Sequence, residues 1–205
     1  MRWQQIQDHG FAAVNDLARA TPWLHTPLRL FAEYGVVIFA VLLLAGWWVA
    51  RRGGSARMAA ALWAPLGVLL AVGLNQPIVH AVDEARPYAV LPHALVLVHR
   101  STDASFPSDH AVMAGACAAG LFAVHRRLGL LTLVLAILMA FARVYVGAHY
   151  PLDVAAGLLL GALITLVGLA FLYRPLTALV RLAGRTPLRP LLSIHTSANA
   201  GEVAR

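Results

Sequence analysis

Lysine is absent from the 205 residues, so the formal net charge of +7 rests entirely on arginine. Charge of either sign is scarce: 12% of residues are charged while 60% are hydrophobic, which excludes an ordinary soluble globular domain. Cysteine occurs once, at Cys117, so no internal disulfide can form, and a thiol inside an apolar run serves as a small packing residue. No internal repeat is visible. A cleaved signal is not expected either, because Gln4, Gln5, Gln7, Asp8 and Asp16 interrupt any apolar core near the start. A basic surplus can serve nucleic acid, but here the arginines sit beside apolar runs, where they set membrane topology; no nucleic-acid partner is expected.

Long apolar runs are abundant. A membrane-spanning helix needs about 20 mostly apolar residues, and five stretches approach that size: 34–50, 58–79, 108–124, 128–146 and 152–173. The fold class expected is all-α, a polytopic transmembrane bundle of about five spans. The third stretch is the shortest, and its Gly115, Ala116, Ala119 and Gly120 allow close helix approach, which predicts a place inside the bundle. Residues 3–24 carry Trp3, Ile6, Phe11, Val14 and Leu17 among polar neighbours, a spacing that predicts an amphipathic helix at the interface. A single domain is expected over 1–190, followed by a disordered cytoplasmic tail over 191–205.

Arginine also orients the bundle. Arg51, Arg52 and Arg57 follow the first stretch, Arg126 and Arg127 the third, and Arg174, Arg181, Arg185 and Arg189 the fifth, which puts all three clusters in the cytoplasm. The segment 80–107 and the turn around His149 then face outward, together with Arg86, Arg100 and Arg143. Those three arginines run against the trend and call for another explanation.

Three outward segments hold the chemistry-bearing residues: Asp83-Glu84-Ala85-Arg86-Pro87-Tyr88, then Phe106-Pro107-Ser108-Asp109-His110, then Arg143 with His149 and Asp153. Ionisable groups near membrane depth are costly unless paired or functional. His149 and Asp153 are four residues apart, with Pro151 suited to a first helical turn. They form either a helix cap or an imidazole whose tautomer is fixed by a carboxylate and whose second nitrogen attacks an electrophile. Arg86 and Arg143 offer planar forks that match phosphate oxygens, or else anchor helix ends. Ser108 and Asp109 open a helix, either as plain caps or as part of an anion cradle with the first backbone N–H groups. His110 has the chemistry of a proton donor to a leaving oxygen. Two arginines repel a cation, so an anion site is expected and no metal.

Together these residues resemble the type-2 phosphatidic acid phosphatase superfamily, related in fold to the vanadium haloperoxidases: an Arg-Pro pair, a Pro-Ser-X-His block, and an arginine followed by His and Asp at the spacing of Arg143, His149 and Asp153. The resemblance covers residues 75–153. It implies that His149 forms a phosphohistidine with Asp153 orienting it, that His110 protonates the leaving phosphate, and that Arg86, Arg143, Ser108 and the backbone near Asp109 hold the transferred group; no cofactor is implied. Two positions depart from the broad family, Val79 in place of a lysine and Asp109 in place of the common glycine. Both departures, with Asn75 upstream, resemble the bacitracin-resistance type of undecaprenyl-diphosphatase. That subgroup implies hydrolysis of a polyprenyl diphosphate at the outer face of the cytoplasmic membrane, recycling a lipid carrier for cell-wall synthesis. Asn75, His80 and Arg100 are the candidates for the missing lysine's role, and Glu84 is a further supporting candidate. Alternatives are a phosphatase for phosphatidate, phosphatidylglycerol phosphate or a lipid A phosphate, and a lipid-phosphate carrier without activity. Tyr88, Val90, Leu91, Leu95 and Leu97 make the 80–107 segment apolar, suited to packing over the lipid or the bundle.

Overall fold

The structure, a computed structural model, describes residues 2–193. Among them are eight α-helices, α1 Arg2–Ala20, α2 His25–Ala50, α3 Ser55–Val82, α4 Pro87–Val90, α5 Asp109–Val124, α6 Arg126–Tyr145, α7 Pro151–Ala183 and α8 Arg189–Leu192, with a 3-10 turn at Pro22–Leu24. Four helical stretches, built on α2, α3, α6 and α7, are long and apolar enough to cross a membrane. Their lipid-facing sides carry exposed leucine, valine and phenylalanine such as Val41, Leu69, Val134 and Phe171, the pattern of a multi-pass membrane protein. The larger part of the tail expected over 191–205 lies outside the described residues.

The third expected span is α5, and at 16 residues it reaches about 24 Å, short of the ~30 Å hydrocarbon layer. It occupies the centre instead, packed against α3, α6 and α7. Every residue from Ala111 to Leu121 is buried. Small residues make this possible: a Cβ on Gly157 would lie 2.8 Å from the Ser108 carbonyl oxygen, and one on Gly161 would collide with the Val112 backbone. Close backbone approach through glycine and alanine is how helices associate where lipid removes the hydrophobic drive.

α1 departs from a simple interfacial helix. Its buried stripe is Gln7, Phe11, Asn15 and Ala18, spaced 4, 4 and 3, whereas Ile6 and Leu17 are exposed. Phe11 meets Tyr150 edge-on with ring centroids 5.7 Å apart. Asn15 brackets Leu95, donating from Nδ2 to its carbonyl at 2.9 Å and accepting from its N–H at 3.0 Å. Gln7 Nε2 donates to Glu84 Oε1 at 3.1 Å. The helix therefore clamps the 80–107 segment, and Leu95 and Leu97 pack onto the bundle around Tyr145 and Val146 while Val90 stays exposed.

The antiparallel helices sort the ends. The α2–α3 turn with Arg51 and Arg52, the α5–α6 junction with Arg126 and Arg127, and the end of α7 with Arg181 all lie at one end. At the other lie the end of α3, the start of α5, the end of α6 and the start of α7.

Candidate active site

A cleft of about 630 Å³ opens at this second end, lined by Arg86, His110, Arg143, His149, Gln76 and His80 among others. Cavities of roughly 300–1,000 Å³ suit small ligands and headgroups. Its geometry centres on His149, which is 2% exposed on the turn between α6 and α7. Nδ1 lies 2.9 Å from the Ser105 carbonyl oxygen. A carbonyl only accepts, so Nδ1 carries the hydrogen and the neutral ring presents its lone pair at Nε2. Arg86 Nη1 and Arg143 Nη2 each lie 3.3 Å from that Nε2. Burial, then Arg143 and Arg86, push the imidazole well below its ordinary value of 6.5, so the ring is neutral.

Asp153 is fully buried, with Oδ2 3.6 Å from His149 Nδ1, too long for a good hydrogen bond and, with a neutral ring, not an ion pair. The direct orienting contact expected from the spacing is replaced by a relay. Ser105 donates its hydroxyl to Asp153 Oδ2 at 2.5 Å, and its own carbonyl accepts the hydrogen bond from the imidazole Nδ1–H. The same carboxylate accepts the Tyr150 N–H at 2.8 Å, fixing the start of α7. Ser105 had no pattern of its own in the sequence beyond lying three residues before Ser108.

Both arginines are held by backbone oxygens. Arg86 donates from Nε to Asp103 at 2.9 Å and from Nη1 to Ala148 at 3.2 Å. Arg143, 9% exposed, donates from Nη1 to Ala32 at 3.3 Å, and its Nε has no partner. A buried guanidinium facing no carboxylate hydrogen-bond partner is poised for an anion.

The helix start behaves differently from expectation. The Ser108 hydroxyl is fully buried, finds no partner, and lies behind the lining of the cleft; its N–H is spent on the Asp153 carbonyl at 3.1 Å. Asp109 presents no anion-binding side chain, because its Oδ1 accepts from Asn75 at 2.7 Å and Gln76 at 2.9 Å. What the start of α5 offers an anion is backbone N–H groups of its first turn, which have no partner within the helix.

The supporting candidates divide. His80 is exposed on the cleft wall beside Val79. Asn75 is buried, pinning Asp109 and the Pro107 carbonyl at 3.1 Å. Arg100 sits over the Tyr88 ring, 5.7 Å from its centroid, outside the cleft lining. Glu84 also stays out of the cleft: its carbonyl accepts the Ser105 N–H at 2.7 Å, and burial, then the Asp153 charge, push its carboxyl up against the opposing Gln7 bond. Gln76, which the sequence did not single out, lines the cleft.

The fold is that of a multi-pass membrane protein, with an imidazole set between two guanidiniums in a cleft at one end of its bundle. The PAP2 superfamily matches residues 60–176, and the chain belongs to that superfamily. It is 32% identical over 163 residues to the bacitracin transport permease protein BcrC of Bacillus licheniformis, covering 80% of this chain and 79% of that one. Undecaprenyl-diphosphatase BcrC of Bacillus subtilis is 30% identical over 172 residues, covering 83% and 84%. Among solved structures, LpxE of Aquifex aeolicus superposes with a TM-score of 0.62 at 25% identity, covering 78% of this chain and 92% of that one.

Proposed function

We propose that this chain is a membrane phosphatase that hydrolyses the terminal phosphate of a polyprenyl diphosphate, undecaprenyl diphosphate above all, at the outer face of the cytoplasmic membrane. The observation that carries it is the Nε2 lone pair of His149 set between two guanidiniums inside a cleft at the helix ends. Three relatives above 30% identity, one named for bacitracin transport and two for undecaprenyl-diphosphatase, support the substrate class. The arginine-rich opposite end supports the orientation, since arginines accumulate on the cytoplasmic side. Residues 1–190 act as one domain.

In the proposed reaction His149 Nε2 attacks the terminal phosphorus. A P–N bond forms as the bond from phosphorus to the bridging oxygen breaks. His110, its pKa lowered to about 3 by burial and then by Arg143, takes up a proton from solvent once the charge of the diphosphate offsets the guanidiniums, and gives it to that oxygen. Water then attacks the phosphohistidine, His110 takes its proton, and the P–N bond breaks to release phosphate. Arg86, Arg143 and the first-turn amides of α5 hold the equatorial oxygens, where charge develops. Ser105 and Asp153 hold the ring. The prenyl chain stays in the bilayer beside the exposed apolar helix faces.

Purified protein should release phosphate from undecaprenyl diphosphate without added metal, and His149→Ala should lower turnover roughly a thousandfold or more while the protein keeps its thermal unfolding profile. Turnover surviving that change excludes the nucleophile. The likeness to LpxE and the 37% identity over 92 residues to lipid A 1-phosphatase of Rhizobium johnstonii favour a second reading, a phosphatase for another membrane lipid. Side-by-side turnover of undecaprenyl diphosphate, phosphatidate and a lipid A phosphate separates the two.

A further inference from the structure

At the end of the bundle opposite the cleft lies a second cavity, of about 490 Å³, that the proposed reaction does not use. α3 alone, at 28 residues, puts about 42 Å between the two. Its lining draws Arg51 and Arg52 from the α2–α3 turn, Ser55 from the start of α3, and Arg181 and Arg185 from the end of α7 and beyond. Among the described residues, no carboxylate lines it.

Setting topology requires arginines on this side of the membrane, but not their convergence on one hollow from separate helices. Here each wall is built. Arg51 stacks on Trp47 and Trp48, with its Cζ 5.2 and 4.9 Å from the ring centroids, and donates to the Pro190 carbonyl at 2.7 Å, which holds α8 over the cavity. Leu192 of α8 packs into the core cluster of Ala50, Met58 and Val180. Arg181 Nε donates to Ser55 Oγ at 3.3 Å, fixing its guanidinium at the start of α3. That start has Gly54 at its cap and no capping side chain, so the first amides of a 28-residue helix open beside three exposed guanidiniums, those of Arg52, Arg181 and Arg185.

We infer that this cavity binds a phosphate-bearing anion, gripped by Arg52, Arg181 and Arg185 and by the amides that open α3. The chemistry is that of a phospholipid headgroup or of free phosphate. Basic pockets between helices at a membrane surface take anionic headgroups in this way, and planar guanidiniums match phosphate oxygens. The inference stands whether or not the cleft hydrolyses a polyprenyl diphosphate.

The test compares wild type, a pocket variant (Arg52→Gln, Arg181→Gln, Arg185→Gln) and a charge-matched variant toward the same end of the bundle but outside the cavity (Arg126→Gln, Arg127→Gln, Arg174→Gln). In the lipid arm, native mass spectrometry from mixed micelles measures cardiolipin retention against phosphatidylethanolamine. In the soluble arm, thermal unfolding is followed with 10 mM inorganic phosphate (~10 mM, a concentration well above a weak anion site's needs) against chloride at equal ionic strength. The cleft is intact in all three proteins, so phosphate bound there cancels. The pocket variant should retain cardiolipin at least ~10-fold more weakly than the other two, or lose the phosphate-induced rise in Tm that they keep. A response in the lipid arm alone assigns a headgroup, and one in the soluble arm alone assigns free phosphate. Equal behaviour of wild type and the pocket variant in both arms overturns the site, as does an equal loss in the charge-matched variant. If the triple change does not fold, Arg185→Gln alone should give a partial loss in the same arm.

Discussion

A single backbone carbonyl decides which nitrogen of His149 is available. Because the Ser105 oxygen accepts from Nδ1, the side chain of Ser105 is free to serve Asp153. Ser105→Ala should therefore leave the tautomer in place but remove a hydrogen bond to a buried charged group, worth about 1.5–3 kcal/mol. The expected outcome is a kcat roughly ten- to a hundredfold lower with KM little changed, read by phosphate release. His149 also gives a signed dependence on pH. Its folded value lies below its ordinary 6.5, so the unfolded chain takes up a proton that the folded protein refuses once pH falls below about 6.5. Stability is fully present above that point and declines as pH drops toward the folded value. An NMR titration of the His149 ring, assigned with His149→Gln, should show no protonation between pH 8 and pH 6.5 (about the ordinary histidine value), and Tm should decline below it. The sequence grouped Arg86, His110, Arg143 and His149 through their resemblance to a three-part motif, and the structure lines one cleft with all four. The relay through Ser105 was not, since a backbone acceptor leaves no trace in residue identity, and the burial of Ser108 depends on how closely Gly157 lets α7 approach.

Among the elements, α5 is the one on which the others converge, and its packing rests on the absence of side chains. Gly161→Val would drive a branched side chain into the Val112 backbone, an atom that cannot swing aside. Overpacking costs about 1–3 kcal/mol, and a backbone obstacle puts this case toward the upper end. A clearly lower Tm in detergent, with activity lost in parallel, is the expected outcome. The helix was legible as short and central from its Gly and Ala content. α1 was legible only in part: an amphipathic pattern was visible, but Gln7 and Asn15 looked like its wet face and proved to be buried bonds to Glu84 and Leu95. Polar side chains that satisfy loop backbone cannot be told from solvated ones by periodicity. Asn15→Ala, which strips both bonds from Leu95, should loosen the 80–107 segment and raise its amide hydrogen exchange without unfolding the spans.

At the level of the whole molecule, the sorting of arginines makes orientation testable by labelling. The native Cys117 is buried, so the background is silent to a membrane-impermeant thiol reagent. Thr102→Cys, on the exposed rim of the cleft, should react in intact cells, and Gly54→Cys, where an added Cβ meets nothing within 4 Å, should react only after the membrane is opened. The reverse pattern would invert the topology. Four of the five expected spans were legible from apolar runs and recur as helices long enough to cross a membrane; the cavity at the far end was not, since convergence of three segments on one hollow is a property of packing. The dense centre around α5 has one more consequence. Its middle is filled by alanine and glycine against neighbouring backbones. Positions such as Gly115, Gly157 and Gly161 therefore cannot be enlarged in small steps, since even one added carbon meets main chain rather than a side chain that can swing aside.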